Sequence, residues 1–169
     1  MIFELPAPVE IFDPVMGDGA IIRVRRHGRR DGTRMFVSNG NGFAIDGYYP
    51  FWGPLAERFE VIAFDVRNHG ANPLATSGND GHTYAQMTLN LERVLRDVEA
   101  RLGPRPSIGV FHSMSARTAM KHAIELGFRW AALILFDPPN VVPPPAHRVY
   151  EMMDLFERRL ADWAMRRQD

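Results

Sequence analysis

Ser113 is the residue of this chain whose surroundings best suit nucleophilic chemistry. It lies in IGVFHSMSARTAM, residues 108–120, between an apolar run and a segment with a helical pattern. The small residues Ser115 and Ala116 follow it, and a sharp strand-to-helix turn between small neighbours exposes a serine hydroxyl above a sheet. The backbone N–H of Met114, at the helix start, could then bind an oxyanion. An ordinary N-cap serine fits the same spacing, so Ser113 alone leaves both interpretations open.

A glycine-containing segment earlier in the chain, SNGNGF at residues 38–43, could present a second oxyanion donor. It follows an apolar strand pattern, and the loops after parallel strands meet at one edge of a sheet. Asn41 is the preferred donor because it follows the Asn-Gly pair. Gly42 and Phe43 fit nearly as well, and Gly40 completes the predicted loop. A plain tight turn is the alternative interpretation.

The elements around these segments predict an α/β fold. The expected architecture is a mostly parallel sheet with an N-terminal antiparallel hairpin and helices on both faces. Helices are predicted at 48–59, 82–102 and 114–127. The last strands are apolar throughout, as expected for strands buried on both sides. The hairpin is predicted from VEIFDPV and AIIRVRRH, and the later strands from RMFVSN, EVIAFDV, SIGVF and AALILFD.

The order and content of these segments resemble the α/β-hydrolase family over most of the chain. HSMSA resembles the family's His-Ser-Met-Gly-Gly elbow, with Ser113 at the nucleophile position. DVRNHGANP resembles its Asp-x-Arg-Gly-His-Gly-x-Ser segment, and LILFDPP resembles its sixth strand. The pair at residues 39–40, Asn-Gly, stands where the family usually has His-Gly. Phe111 and Ser115 depart from the pattern, since they replace the usual elbow glycines.

The resemblance implies a serine hydrolase that cleaves a small carboxylic ester or related acyl substrate through an acyl-enzyme intermediate. Asp137, at the end of the sixth strand, stands where a few members place the triad acid. A cap of the turn before Pro138 and Pro139 explains that residue as well. The family's triad histidine follows a later strand, and neither His122 nor His147 does so here. A non-catalytic binding or scaffold protein, or a C–C bond hydrolase of the same fold, is therefore the alternative.

Several other residues have two interpretations. Tyr48, Phe51 and Trp52, with the neighbouring Tyr49, either line an apolar acyl pocket or pack at a helix start. His69 lies in the segment that braces loops in the resembled family, and a structural role is expected for it. His112 is expected to point away from the adjacent serine and to serve in packing and hydrogen bonding.

The composition changes at the proline-rich stretch after residue 139. This change predicts a partial hydrolase core at 1–139 and the start of a helical cap or lid at 140–169. The apolar sixth strand would form an open sheet edge, which natural sheets avoid. A second chain or a missing C-terminal segment is therefore expected to complete the sheet, and a homo-oligomer is also compatible with the pattern.

Composition excludes several other function classes. Lys and Arg together number 20, as do Asp and Glu, so no net charge favours nucleic acid or an anionic membrane. The chain has no cysteine, its histidines lack metal-ligand spacing, and it has no nucleotide-binding motif. No cofactor or metal is expected, only a small-molecule acyl substrate. The start of the chain lacks a signal-peptide pattern and WAALILF is too short to span a bilayer, which predicts a cytoplasmic protein.

Overall fold

The computed structural model describes residues 4–76 and 81–139. They form a six-stranded sheet in the order β1-β2-β4-β3-β5-β6. β1 and β2 make the predicted antiparallel hairpin, β2 also pairs antiparallel with β4, and the pairs from β4 through β3 and β5 to β6 are parallel. The predicted α/β fold class is confirmed. The strands are β1 Glu10–Phe12, β2 Val24–Gly28, β3 Arg34–Ser38, β4 Glu60–Phe64, β5 Ser107–His112 and β6 Ala132–Phe136.

In the described part of the chain, three α-helices accompany the sheet: α1 Tyr49–Trp52, α2 Tyr84–Leu102 and α3 Met114–Glu125. The continuous helix predicted over 48–59 is wrong. Instead, α1 lies between two 3₁₀ turns, Ile45–Tyr48 and Pro54–Glu57. Pro54 explains the break, because a proline has no backbone N–H with which to continue the helical hydrogen bonds.

The sheet has a different apolar layer on each face. On one face Phe36 and Phe111 pack against α2 and α3, while on the other Val37 and Val110 pack against Ile45 and the indole of Trp52. β5 is therefore covered on both sides close to its carboxyl end, where Ser113 follows it. Within the described ranges, no helix is both long and apolar enough to cross a membrane.

The expectation that the last strand is buried on both sides is wrong for β6. Ile134 and Phe136 are each 44% exposed. β5 is the only strand that pairs with β6 among the described residues. The open edge predicted for the sixth strand is thus present within the described ranges, whereas the apolar sequence of β6 did not reveal that its faces are exposed as well. The predicted cap, residues 140–169, lies outside the described residues.

Helix α3, which begins at the elbow, is joined to α2 through Glu92. The carboxylate accepts hydrogen bonds from His122 Nε2 at 2.9 Å and from Arg129 at 3.1 Å, and Arg96 donates at 2.6 Å. Burial alone would raise the pKa of Glu92, but the hydrogen bonds of Arg96 and His122 and the charge of Arg129 outweigh it, so this pKa is lowered. An acid with a lowered pKa stabilises the fold above its ordinary pKa and loses that contribution as the pH falls.

Glu92→Gln is accordingly expected to lower the free energy of unfolding at pH 7 by about 1–3 kcal/mol. The difference from the unmodified chain should shrink below about pH 5, as the glutamate itself becomes protonated. Urea unfolding between pH 3 and pH 7 measures both quantities. Glu99→Gln is the matched control, since the exposed ion pair of Glu99 with Arg129 should contribute less than about 1 kcal/mol. A constant difference across the pH range would contradict the assignment.

Candidate active site

Ser113 occupies a strained turn between β5 and α3. Its backbone has φ 49° and ψ −114°, a conformation that residues with side chains rarely adopt. Its N–H donates to the carbonyl of Phe136 in β6 at 2.8 Å. A capping serine has extended backbone and accepts a hydrogen bond from the first helical turn, but Ser113 makes no such side-chain bond. The ordinary N-cap interpretation is therefore wrong.

Ser115 and Phe111 fill the places of the usual elbow glycines without collision. The Ser115 hydroxyl accepts the N–H of His112 at 3.1 Å and lies 3.1 Å from the carbonyl oxygen of Ser38, at the end of β3. Phe111 is almost fully buried and packs edge-to-face against Trp130, with ring centroids 5.4 Å apart. Ser115 thus ties the elbow to β3, a role that its sequence position did not reveal.

The loop after β3, residues 39–43, lies directly against the elbow. A Cβ atom on Gly40 would lie 2.6 Å from Nδ1 of His112 and 3.1 Å from Cβ of Ser113. Contacts below 3.0 Å cannot be accommodated without movement, so only glycine allows this approach. The predicted oxyanion loop and the predicted nucleophile are therefore neighbours.

Hydrogen bonding distinguishes the candidate donors of this loop. The N–H of Gly40 donates to Tyr48 Oη at 3.2 Å, and that of Gly42 donates to His69 Nε2 at 3.0 Å. The N–H of Phe43 donates to the carbonyl of Gly40 at 3.3 Å. Within residues 4–76 and 81–139, the backbone N–H of Asn41 has no partner. Of the predicted donors in this loop, Asn41 is thus the one that can bind an anion without first breaking a bond.

The backbone N–H of Met114 is likewise without a partner in the described part of the chain. As the first residue of α3 it belongs to the orphan N–H groups at a helix N-terminus, where the helix dipole favours negative charge. It directly follows the turn at Ser113. The side chain of Met114 is buried against Val66 and Met87, which fixes the start of the helix.

Asn39 stabilises the loop although it replaces the common histidine. Its amide donates to the carbonyl of Phe43 at 2.5 Å, while its oxygen accepts the N–H of Val66 at 2.9 Å. His69 adds a second connection, because its Nε2 accepts from Gly42 and its Nδ1 donates to the carbonyl of Arg67 at 2.8 Å. The expected structural role of His69 is confirmed by these contacts.

Asp65, which directly follows β4, connects the segments that come after the loop at residues 39–43 and after β4. Its carboxylate accepts the N–H of Ile45 at 2.6 Å and of Ala71 at 3.3 Å, and it pairs with Arg25 at 3.0 Å. Gly70 passes so close that a Cβ there would lie 2.3 Å from the carboxyl group. Burial raises the pKa of Asp65 above its ordinary value, against the opposing effect of these partners.

Asp65→Ala is expected to lower the free energy of unfolding by about 3 kcal/mol or more, because buried N–H groups and a guanidinium lose their acceptor. Asp13→Ala serves as the control. The ion pair of Asp13 with Arg23 is exposed, with 37% and 41% of the side chains accessible, and should contribute less than about 1 kcal/mol. Urea unfolding at pH 7 compares the two. Equal losses for both variants would contradict the account of Asp65.

Asp137 lies next to the elbow through its backbone. It directly follows Phe136, whose carbonyl accepts the Ser113 N–H, and its own φ is 45°. The side chain is exposed, and no hydrogen bond or ion pair to its carboxylate occurs among the described residues. No contact therefore decides between the triad acid and the turn cap.

No histidine in the described ranges hydrogen-bonds to Ser113. His112 bonds to Tyr48 at 2.7 Å, as expected for a residue that points away from the nucleophile. His122 bonds to Glu92 on α2, and His69 and His82 stack with ring centroids 5.5 Å apart. His147 lies outside the described residues. Among the described residues, no group of three or more His, Cys, Asp or Glu side chains could hold a metal ion.

A comparison with models of known protein families identifies the family of this chain. Residues 35–168 match the model described as "Alpha/beta hydrolase family". The chain belongs to the α/β-hydrolase family. The match includes the loop after β3, the elbow and Asp137. Among curated proteins, none matches the chain.

Several solved structures share the fold at low sequence identity. A deformylase for N-formylmaleamic acid from Pseudomonas putida S16 has 20% identity and a TM-score of 0.64, over 81% of this chain and 52% of its own. A putative aryl esterase from Burkholderia cenocepacia has 17% identity and a TM-score of 0.66, over 80% and 49%. A bromoperoxidase from Bacillus anthracis has 18% and 0.64, over 75% and 44%. The chain thus spans about half the length of these proteins.

An apolar cavity of about 240 Å³ borders the elbow of this family member on the α1 side. Tyr48 and Phe51 line it together with His112 and Phe136. Trp52 also reaches it but is 1% exposed, and its indole N–H donates to the carbonyl of Ile45 at 2.9 Å. Trp52 is thus a core residue, whereas Tyr48 and Phe51 remain compatible with an acyl pocket.

Proposed function

We propose that this chain carries the nucleophile and oxyanion donors of a serine hydrolase that cleaves a small carboxylic ester or related acyl compound. The conformation of Ser113 carries the proposal. Ser113 is a strained residue between a buried strand and a helix, and it makes no capping bond. Such strain costs folding free energy and is concentrated at functional sites. The unpartnered N–H groups of Met114 and Asn41 flank it, as an acyl-transfer site requires.

The chemistry follows from this placement. The Ser113 hydroxyl oxygen attacks the carbonyl carbon and passes its proton to a base, while the carbonyl oxygen becomes an oxyanion held by the N–H groups of Met114 and Asn41. Collapse of the tetrahedral intermediate expels the alcohol, which takes up the proton. Water then releases the acid from the acyl-enzyme. Asp137 is the proposed acid that orients the base, because its backbone adjoins the elbow.

The base is proposed to be a histidine on a polypeptide segment that extends the sheet along β6. This segment would be a second chain or a further C-terminal segment. The exposure of Ile134 and Phe136 supports this proposal, since natural sheets cover or block such edges. Ile134→Lys should therefore weaken binding of an apolar dye to the chain without lowering its free energy of unfolding. A large loss of stability would indicate that this edge is already covered.

A burst experiment tests the proposed reaction. On mixing with p-nitrophenyl acetate, the chain should release nitrophenolate with acetylation of Ser113, and Ser113→Ala should remove both signals. Slow acylation without turnover would agree with a base supplied by another segment, because oxyanion donors alone still accelerate attack on such an activated ester. No acetylation above the level of Ser113→Ala would contradict the hydrolase.

A non-catalytic binding protein of the same fold is the second candidate. It is favoured by the absence of any histidine bonded to Ser113 within the described residues. The two candidates differ in the burst experiment, because a binder would take up the ester without forming a covalent bond.

A further inference from the structure

The hydroxyl group of Tyr48 joins the two segments that carry the proposed oxyanion donors. It accepts the N–H of Gly40 at 3.2 Å and lies 2.7 Å from Nδ1 of His112. Gly40 immediately precedes Asn41, and His112 immediately precedes Ser113. We propose that Tyr48 is a positioning residue that sets the spacing between the oxyanion loop and the nucleophile, an inference that rests on the proposed function.

A backbone N–H can only donate, so the Gly40 N–H occupies one lone pair of the Tyr48 oxygen. The hydroxyl keeps one proton and one further lone pair, so the direction of its bond to Nδ1 of His112 depends on the tautomer of the imidazole. The proposed positioning role takes the direction in which the hydroxyl donates to Nδ1. A neutral imidazole that accepts at Nδ1 carries its proton on Nε2, so in this arrangement Tyr48 also selects the tautomer of His112.

Contacts on several sides hold Tyr48 in the position that a positioning residue needs. It ends the 3₁₀ turn Ile45–Tyr48, whose first N–H is held by Asp65 at 2.6 Å. Its ring lies 5.6 Å from the ring of His112 and 6.2 Å from that of Phe43, between centroids. Through Asp65, the position of the hydroxyl is tied to the end of β4 rather than to the loop that it holds.

The same bond explains why Asn41 is the free donor. With its N–H engaged by Tyr48, Gly40 cannot serve an oxyanion, and its carbonyl accepts from Phe43. The loop thus presents one unpartnered N–H among the described residues, directly beyond the anchored one. A loop released from Tyr48 would let this N–H drift, and misplacement by about 1 Å costs on the order of a hundredfold in rate.

Tyr48→Phe tests the inference because it removes the hydroxyl and keeps the ring. In ¹H–¹⁵N spectra of the full chain, the Gly40 amide proton should move upfield, and the ¹⁵N shifts of His112 should show loss of the single tautomer. Labelling of Ser113 by a fluorophosphonate should slow by about tenfold to a hundredfold. Thr88→Val is the control, since it removes another buried hydroxyl, which donates to Tyr84 at 2.7 Å in α2. It should change neither the Gly40 shift nor the labelling rate.

The outcomes separate this inference from the proposed function. An unchanged Gly40 shift in Tyr48→Phe overturns the positioning role, whatever the labelling shows. A changed shift with an unchanged labelling rate also overturns it, because the bond would then not set the reactive geometry. If the unmodified chain is not labelled at all, the proposed function fails, and the positioning role fails with it even where the shift changes.

Discussion

Asn41→Pro should slow the labelling of Ser113 by a fluorophosphonate by about a hundredfold or more, the usual loss when one oxyanion donor is removed. The phosphonate forms a tetrahedral adduct whose oxygen takes the place of the oxyanion. The Asn41 N–H is the loop donor without a partner in the described residues, and proline has no N–H to offer. The rate is measured by intact mass over time, at equal protein and probe concentrations.

Asn41→Ala is the matched control, because it keeps the N–H and removes only the side chain. That side chain lies 3.2 Å from His69 Nε2 on the exposed side of the loop, so its loss should change the rate by less than about tenfold. Circular dichroism of both variants verifies that the fold is retained. If the alanine and proline variants slowed equally, the backbone of Asn41 would not be the donor.

Gly40→Ala should separate the loop from the elbow, and it has the second largest expected effect. The added Cβ would lie 2.6 Å from His112 Nδ1, and relieving such a contact typically costs about 1–3 kcal/mol. Labelling of Ser113 should fall by about a hundredfold, because the neighbouring Asn41 N–H is displaced. Urea unfolding and the labelling rate measure the two effects separately.

Gly47→Ala is the control for Gly40→Ala, since Gly47 lies seven residues further along the chain with no atom within 4 Å of an added Cβ. It should leave the rate unchanged and the free energy of unfolding equal or slightly raised, because alanine restricts the unfolded chain. A Gly40→Ala chain as stable and as reactive as Gly47→Ala would refute the close approach.

The sequence predicted the strands and the elbow because their signals are local. An apolar run followed by Ser113 and small residues, and an Asn-Gly pair after β3, are visible within a few positions. The sequence did not show in the same way which backbone N–H of the loop after β3 has no hydrogen-bond partner. It depends on Tyr48 and His69 engaging neighbouring N–H groups, and these residues meet the loop only in the folded chain.

The departures from sequence expectation have the same origin. Ser115 was expected only to be small, yet its hydroxyl reaches Ser38, 77 positions away. β6 was expected to lie at an open edge with both faces buried, and only the open edge is found among the described residues. Burial of a face depends on what packs against the strand rather than on its own residues. Pro54 divided the predicted first helix because it has no backbone N–H to continue the helical hydrogen bonds. Asp137 and the base remain predictions, since no described contact assigns them.

The most direct measurement of the central claim is the intact mass of the chain after exposure to a fluorophosphonate, followed by peptide mapping. The account predicts one adduct per chain on Ser113, formed slowly where the base on the other segment is absent, with none on Ser115 and none in Ser113→Ala. An unlabelled chain, or an adduct that persists in Ser113→Ala, would contradict the assignment of Ser113 as the nucleophile.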